Sequence, residues 1–167
     1  MAGASKQRLR PPIHGAAIIP TRLTSPMLSP STHTATDVIR LLNLEPLPHE
    51  GGWFRRTGEG APLPGDASGR RTWSSIFALF TPDGFSALHR LASDEVWCFH
   101  AGDPLVSLRL HPAGRGEIVP LGADVMAGER LQDVVRAGVW QGTRLREGGR
   151  WALVTCCLLY TSPSPRD

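Results

Sequence analysis

Between Ser86 and Gly102 the sequence reads SALHRLASDEVWCFHAG, and two residues in it could do chemistry: His89 and, six residues later, Glu95. A neutral imidazole ligates metals or exchanges a proton near neutral pH, and a carboxylate beside it serves as second ligand, base or hydrogen-bond anchor. Both lie in an otherwise apolar run. If their strand faces point inward, each is costly to bury unless hydrogen-bonded, metal-bound or open to a solvated pocket. Two donors make a weak metal signal, and spacing alone favours the simpler reading, in which the pair bonds to itself or to backbone at a barrel mouth.

The elements that would position these residues are strands. After TATDVIRLLNLEPLP, where Thr36 or Asp37 can cap a short helix that Pro46 and Pro48 stop, the pattern is β. WSSIFALF, SALHRL, EVWCFH, LVSLRL, EIVPLG, VVRAGVWQG and RWALVTCC are each bounded by Gly, Pro or Asp. Seven or more short strands with no helical pattern between them predict a sandwich or barrel. Period-two alternation groups Glu95 with Trp97 and Phe99, and His89 with Leu91. In LVSLRL it puts Val106, Leu108 and Leu110 on one face and Ser107 and Arg109 on the other, the division a half-buried strand requires.

The 167 residues suffice for one domain with a real core. The net charge of +3 comes from Lys6, Arg8, Arg10 and Arg22, while Thr36 to Cys156 is nearly balanced, so no nucleic-acid partner is expected. No run is long enough to span a membrane and no secretory signal is evident, which makes the cytoplasm the default location. Cys98, Cys156 and Cys157 form no spaced framework for disulfides or zinc. Residues 1–30 mix Pro, Ser and basic residues without period and read as a disordered or spurious extension, with Met27 an alternative start. A transit peptide is the less favoured reading, because Pro11, Pro12 and Pro20 interrupt any amphipathic helix.

Gly84, His89, Leu91, Glu95 and Gly102 fall on a known frame: glycine, short spacer, His-x-His, Glu, Gly, the first motif of the cupins. Leu91 stands where the second histidine belongs. The second cupin motif is echoed by RAGVWQ, with Arg136 for its proline, Gly138 matching and Gln141 for its histidine. LEPLPHEGGWFRRT, SALHRLASDEVWCFHAGDPL, LGADVMAGERLQDVVRAGVWQG and WALVTCC follow in order the pattern of one branch, cupin family 5, the group of the domain of unknown function 985. The chain resembles that branch over Thr36 to Cys156.

The resemblance implies an all-β double-stranded β-helix, the cupin jelly-roll barrel, with a short N-terminal helix, and a homodimer when the domain is complete. It implies a site of His89, Glu95 and Gln141 inside the barrel. As metal donors these three are few, since Gln141 is a poor ligand, so the expectation is no cofactor or a weakly held divalent metal. Trp97, Phe99 and Trp140 would wall the pocket, and Arg55, Ser86 and Arg90 would meet an anionic ligand at its mouth. Glu50, Gly51 and Gly52 match the family opening, and the paired glycines mark a close backbone approach.

The chain ends CLLYTSPSPRD where the family continues with a Pro-Gly-Phe turn and a further strand. Those residues resemble the in-frame translation of the mosaic end and adapter of transposon-based sequencing libraries, the alternative being a natural Pro/Ser tail. The domain plan is therefore a 1–30 extension, a 31–156 cupin domain lacking its final strand, and an adapter-derived 157–167. The expected function is binding of a small polar molecule, sugar-like or acidic, in the barrel. It is either an isomerase or epimerase with His89 and Glu95 as its catalytic pair, or a non-catalytic binding or sensor module.

Overall fold

Thr34, two residues before Thr36 and three before Asp37, the two expected caps, starts the helix α1 (Ala35–Leu42). Its hydroxyl accepts from the Asp37 amide while the Asp37 carboxylate accepts from the Thr34 amide, a reciprocal cap that Thr36 cannot form. Asn43, left-handed at φ 50°, ends the helix before either proline is reached. The computed structural model describes residues 27–48, 50–67 and 69–160; the expectations for residues 1–26 and 161–167 lie outside them.

Ten strands follow: β1 (Glu45–Pro46), β2 (Trp53–Glu59), β3 (Trp73–Phe80), β4 (Ser86–Arg90), β5 (Asp94–Gly102), β6 (Leu105–Leu110), β7 (Gly116–Leu121), β8 (Gln132–Val135), β9 (Trp140–Leu145) and β10 (Ala152–Leu159). They form two antiparallel sheets, β1-β2-β3-β10-β5-β8 and β4-β9-β6-β7, packed face to face as a jelly-roll barrel. Two boundaries differ from expectation. WFRRTGE, unassigned in the sequence, is β2. VVRAGVWQG is two strands rather than one, because Gly138 at φ 82° turns the chain while Arg136 and the Ala137 amide bind Asp94. The Ala137 amide, then Arg136, hold the Asp94 carboxyl below its usual range.

Apolar side chains of both sheets, including Phe80, Leu105, Leu121, Val135 and Val154, pack together inside the barrel. A second cluster lies outside the larger sheet, where α1 covers it: Val38 and Leu44 pack on Leu79, Trp151 and Leu153. Each such side chain, fully buried, contributes about 1.5–3 kcal/mol. The Trp151 indole donates to the His33 carbonyl at 2.8 Å, and Leu28 packs on the same cluster.

The smaller sheet departs from the expected polarity. Its buried face carries Ser86, Ser107, Arg109, Gln141 and Thr143 beside Leu105, Val119, Leu121 and Leu145, while Leu88, Leu108, Leu110 and Ile118 are exposed. The alternation in β6 was legible, but its buried side carries Ser107 and Arg109, because their polar groups find partners: Ser107 bonds Thr143 on the adjacent strand β9 at 2.7 Å, and Arg109 bonds Gln141 of β9 and, across the barrel, Asp133 of β8.

Candidate functional site

Glu95 projects inward from β5 with Trp97, as alternation predicts. It is 7% exposed, and its Oε2 accepts from the Trp97 indole at 3.0 Å and from the Gln141 amide at 2.5 Å. Burial raises its pKa above the ordinary carboxyl value, opposed by those two hydrogen bonds and by His89, while Glu50 pushes in the same direction as burial. The carboxyl is therefore biased toward its protonated form, with its bonded oxygen fixed.

His89 reaches the same interior through a bulge. Ser86 pairs with Thr143 and His89 with Gln141, so three steps of β4 oppose two of β9, and Ser86 and His89 both face in. His89 Nδ1 lies 2.7 Å from the Ala87 carbonyl and 3.4 Å from Ser86 Oγ. A carbonyl only accepts, so Nδ1 carries a proton, and in the neutral ring the lone pair is on Nε2.

Gln141, 1% exposed, is the hinge of the arrangement. Its amide nitrogen donates to Glu95, and its carbonyl accepts from Arg109 Nη1 at 2.5 Å. Arg109 Nη2 then donates to Asp133 at 2.9 Å, and Asp133 accepts from Arg130 at 2.7 Å. The chain Trp97–Glu95–Gln141–Arg109–Asp133 thus stitches the two sheets together across the barrel. Burial works against the Arg109 charge, and Asp133 and Glu95 work for it; a guanidinium stays protonated in such a setting. Arg109 and Asp133 were missed in the sequence, because an arginine alternating with leucines reads as the solvated face of a strand. The available signal was Arg109 in register with Gln141.

The site opens on two adjoining spaces. One of about 20 Å³ is lined by Glu50, Ser86, His89, Glu95, Trp97 and Cys156, and holds about one water. The other, about 190 Å³, is lined by Glu50, Phe54, Arg56, Ser74, Leu91 and Glu95 among others. Glu50 and Glu95 border both. Burial, then Glu95 and Glu50, push the Cys156 thiol well up, so it stands as an inert wall. Gly51 lets the Glu50 turn approach β4: a Cβ there, at φ 87°, would lie 2.3 Å from the Phe85 carbonyl oxygen.

Four expected ligand contacts stand elsewhere. Arg55 points to the outer face of the larger sheet, its guanidinium 5.7 Å from the Phe77 ring centre, and the next residue, Arg56, borders the chamber instead. Trp140 is 42% exposed on the outside of β9, with Arg90 over its ring, because Gln141 takes the inward position. Phe99 is packed in the core, away from both spaces. Ser86 and Trp97 do line the site.

As metal donors the set falls short. The Gln141 carbonyl is turned to a guanidinium, Leu91 offers nothing, and two donors, His89 and Glu95, remain where a transition metal takes three or four. No group of three or more His, Cys, Asp or Glu residues able to hold a metal exists among the described residues. These residues do not fit a resident metal ion.

A family model described as cupin superfamily (DUF985) matches residues 36–160. Among solved structures, a hypothetical protein from Leishmania major is 33% identical, with TM-score 0.69 over 81% of this chain and 85% of that one. A Shewanella oneidensis protein is 37% identical, with TM-score 0.68 over 76% of this chain and 78% of that one. Bacillus subtilis oxalate decarboxylase, described with Mn(II) centres, shares the fold at 15% identity and TM-score 0.50, over 75% of this chain and 30% of that one. No curated protein sequence matches the chain.

Proposed function

Since the chain belongs to the cupin superfamily, in its DUF985 family, we propose that its barrel binds a small polar molecule in the chamber beside Glu95 and exchanges a proton with it through Glu95 and His89. The observation that carries this reading is that a buried carboxyl with raised pKa and the His89 imidazole line the same small space of about 20 Å³, and that the carboxyl also borders the neighbouring chamber of about 190 Å³. An acid and a base of that kind suit proton removal and return on a hydroxy or carbonyl compound, the chemistry of an isomerase or epimerase. The space of about 190 Å³ is below the ~300–1,000 Å³ of drug-sized pockets, which limits the ligand to a sugar-like or acidic compound of few heavy atoms. Arg56 at the chamber wall suits an acidic group on that ligand.

The test is a thermal-shift screen of small sugars and hydroxy acids, followed by solvent-deuterium exchange into each hit. Glu95→Gln and His89→Ala should each weaken binding about tenfold or abolish exchange. A second reading, a binding or sensor module without chemistry, draws support from the space at His89, which admits little beyond one water. Binding without any deuterium exchange would favour it, and binding indifferent to both substitutions would overturn both readings.

The partner we assign is a second copy of the chain. Leu88, Val106, Leu108 and Ile118 line an apolar groove of about 450 Å³ on the outer face of the smaller sheet, with Ile118 63% exposed. Two such faces back to back would remove these side chains from water. Light scattering should report a dimer that Ile118→Glu converts to a folded monomer; a wild-type monomer at tens of micromolar overturns this assignment.

A further inference from the structure

Glu95 has two oxygens in different situations. Oε2 accepts from Trp97 and Gln141, whereas Oε1 takes no hydrogen bond from the described residues and is not a buried orphan, so it is the oxygen left accessible beside the two spaces that Glu95 borders. An indole N–H can only donate. A glutamine amide can present either end, and what decides is the group behind it. That group is Arg109, whose guanidinium has no acceptor to offer. The Gln141 carbonyl must face Arg109, so its N–H must face Glu95.

We propose that Arg109 is a positioning residue: by locking the Gln141 amide it keeps Oε2 an acceptor, so that only Oε1, the accessible oxygen, can carry the exchangeable proton of Glu95. With Arg109 removed, the amide can turn, and protonated Glu95 can spend its proton on the Gln141 carbonyl through Oε2, facing away from any ligand. The proton balance is simple. In the locked site the proton on Oε1 passes to the ligand and returns to Oε1, while the two bonds at Oε2 persist. Asp133 positions Arg109 in turn, bonding its other terminal nitrogen. This inference rests on the proton-exchange reading of Glu95 for its purpose, but not for its geometry.

The experiment is side-chain NMR on the full chain, without ligand. Two protons donated to one oxygen lie within about 4 Å of each other, so the Trp97 indole and Gln141 amide protons should show a strong NOE. In the wild type that NOE should persist as Glu95 is titrated to its acid form. In Arg109→Met/Asp133→Asn, which removes cation and counter-ion together, it should vanish in acid, and the Glu95 carboxyl midpoint should rise by about one pH unit. Arg109→Lys, still donor-only, should restore both. The other ionisable groups facing Glu95 are His89 from β4, Glu50 from the turn before β2 and Cys156 from β10; all are unchanged in these variants. Loss of the NOE in acidified wild type overturns the proposal even where the double variant fails to fold. So does a folded double variant with NOE and midpoint unaltered. Ligand binding indifferent to Glu95→Gln would refute the proton-exchange function while leaving these NMR results intact, so the two failures are separable.

Discussion

Gln141→Met keeps the length and volume of the side chain and deletes both of its hydrogen bonds. The partners are an ionisable carboxyl and a guanidinium at 2.5 Å each, and with Gln141 at 1% and Arg109 at 2% exposure no bulk water can replace the amide. Leaving a buried partner unsatisfied costs about 1–3 kcal/mol, so the two together cost about 2–6 kcal/mol. Glu95 retains Trp97 and Arg109 retains Asp133, which favours the lower half of that range. Burying an apolar side chain instead returns about 1–2 kcal/mol, leaving a net loss of about 2 kcal/mol. In a chain this size that lowers Tm by roughly 6 °C. The loss should depend on pH. Because the folded pKa of Glu95 is raised above its ordinary 4.5, the protonated form stabilises the fold below that value, and this contribution is lost as pH rises through the folded midpoint. Gln141 opposes the rise, so without it the loss extends to higher pH. Urea unfolding of both proteins at about pH 4 and about pH 8 should show the larger deficit at the higher pH. A deficit under about 0.5 kcal/mol, or one larger in acid, would refute the hydrogen-bond accounting at this site.

His89→Ala should cost about 1 kcal/mol or less, since the half-buried ring makes one short bond to Ala87; a loss of about 3 kcal/mol in a denaturant melt would make His89 a structural residue. Gly51→Ala, whose Cβ meets the Phe85 carbonyl at 2.3 Å, should lose about 3 kcal/mol or fail to fold, whereas Gly114→Ala, also at positive φ but with nothing within 4 Å, should lose only about 1 kcal/mol in the same melts. Adding Mn²⁺ or Zn²⁺ at about 100 μM should leave Tm within about 1 °C; a rise of several degrees that His89→Ala and Glu95→Gln both remove would show a metal site that the donor count denies.

Glu95, Trp97 and Gln141 were legible because β5 alternates with a period of two from Glu95 to Phe99, ahead of its bulge at His100, and because the motif frame sets Gln141 against His89. What escaped depends on facts that periodicity does not carry. Polarity alone assigns Arg109 to solvent, and only its partners, Gln141 on the adjacent strand and Asp133 across the barrel, reverse that assignment. Arg55 and Arg56 differ by one residue, and the phase of β2 is set by its register with β3 rather than by the run of residues Trp53 to Thr57. Trp140 suits a pocket wall by type, yet a strand that turns Gln141 inward must turn its neighbour outward. The bulge at Ala87 and Leu88 likewise leaves no mark in composition, although without it Ser86 and His89 could not share a face.

The place of β10 in its sheet has a consequence for biosynthesis. It is the last described strand, yet it lies between β3 and β5 and pairs with both along its whole length, from Ala152 to Leu159. On the ribosome, β5 is complete at Gly102 but its neighbour begins only at Ala152, fifty residues later. At about 5–20 residues per second, the facing edges of β3 and β5 stay unzipped for several seconds, bearing Phe77, Leu79, Trp97 and Phe99. The smaller sheet, whose four strands all lie between Ser86 and Leu145, can assemble in that interval. Nascent chains stalled before Trp151 should therefore engage holdase chaperones that release once β10 has emerged from the exit tunnel.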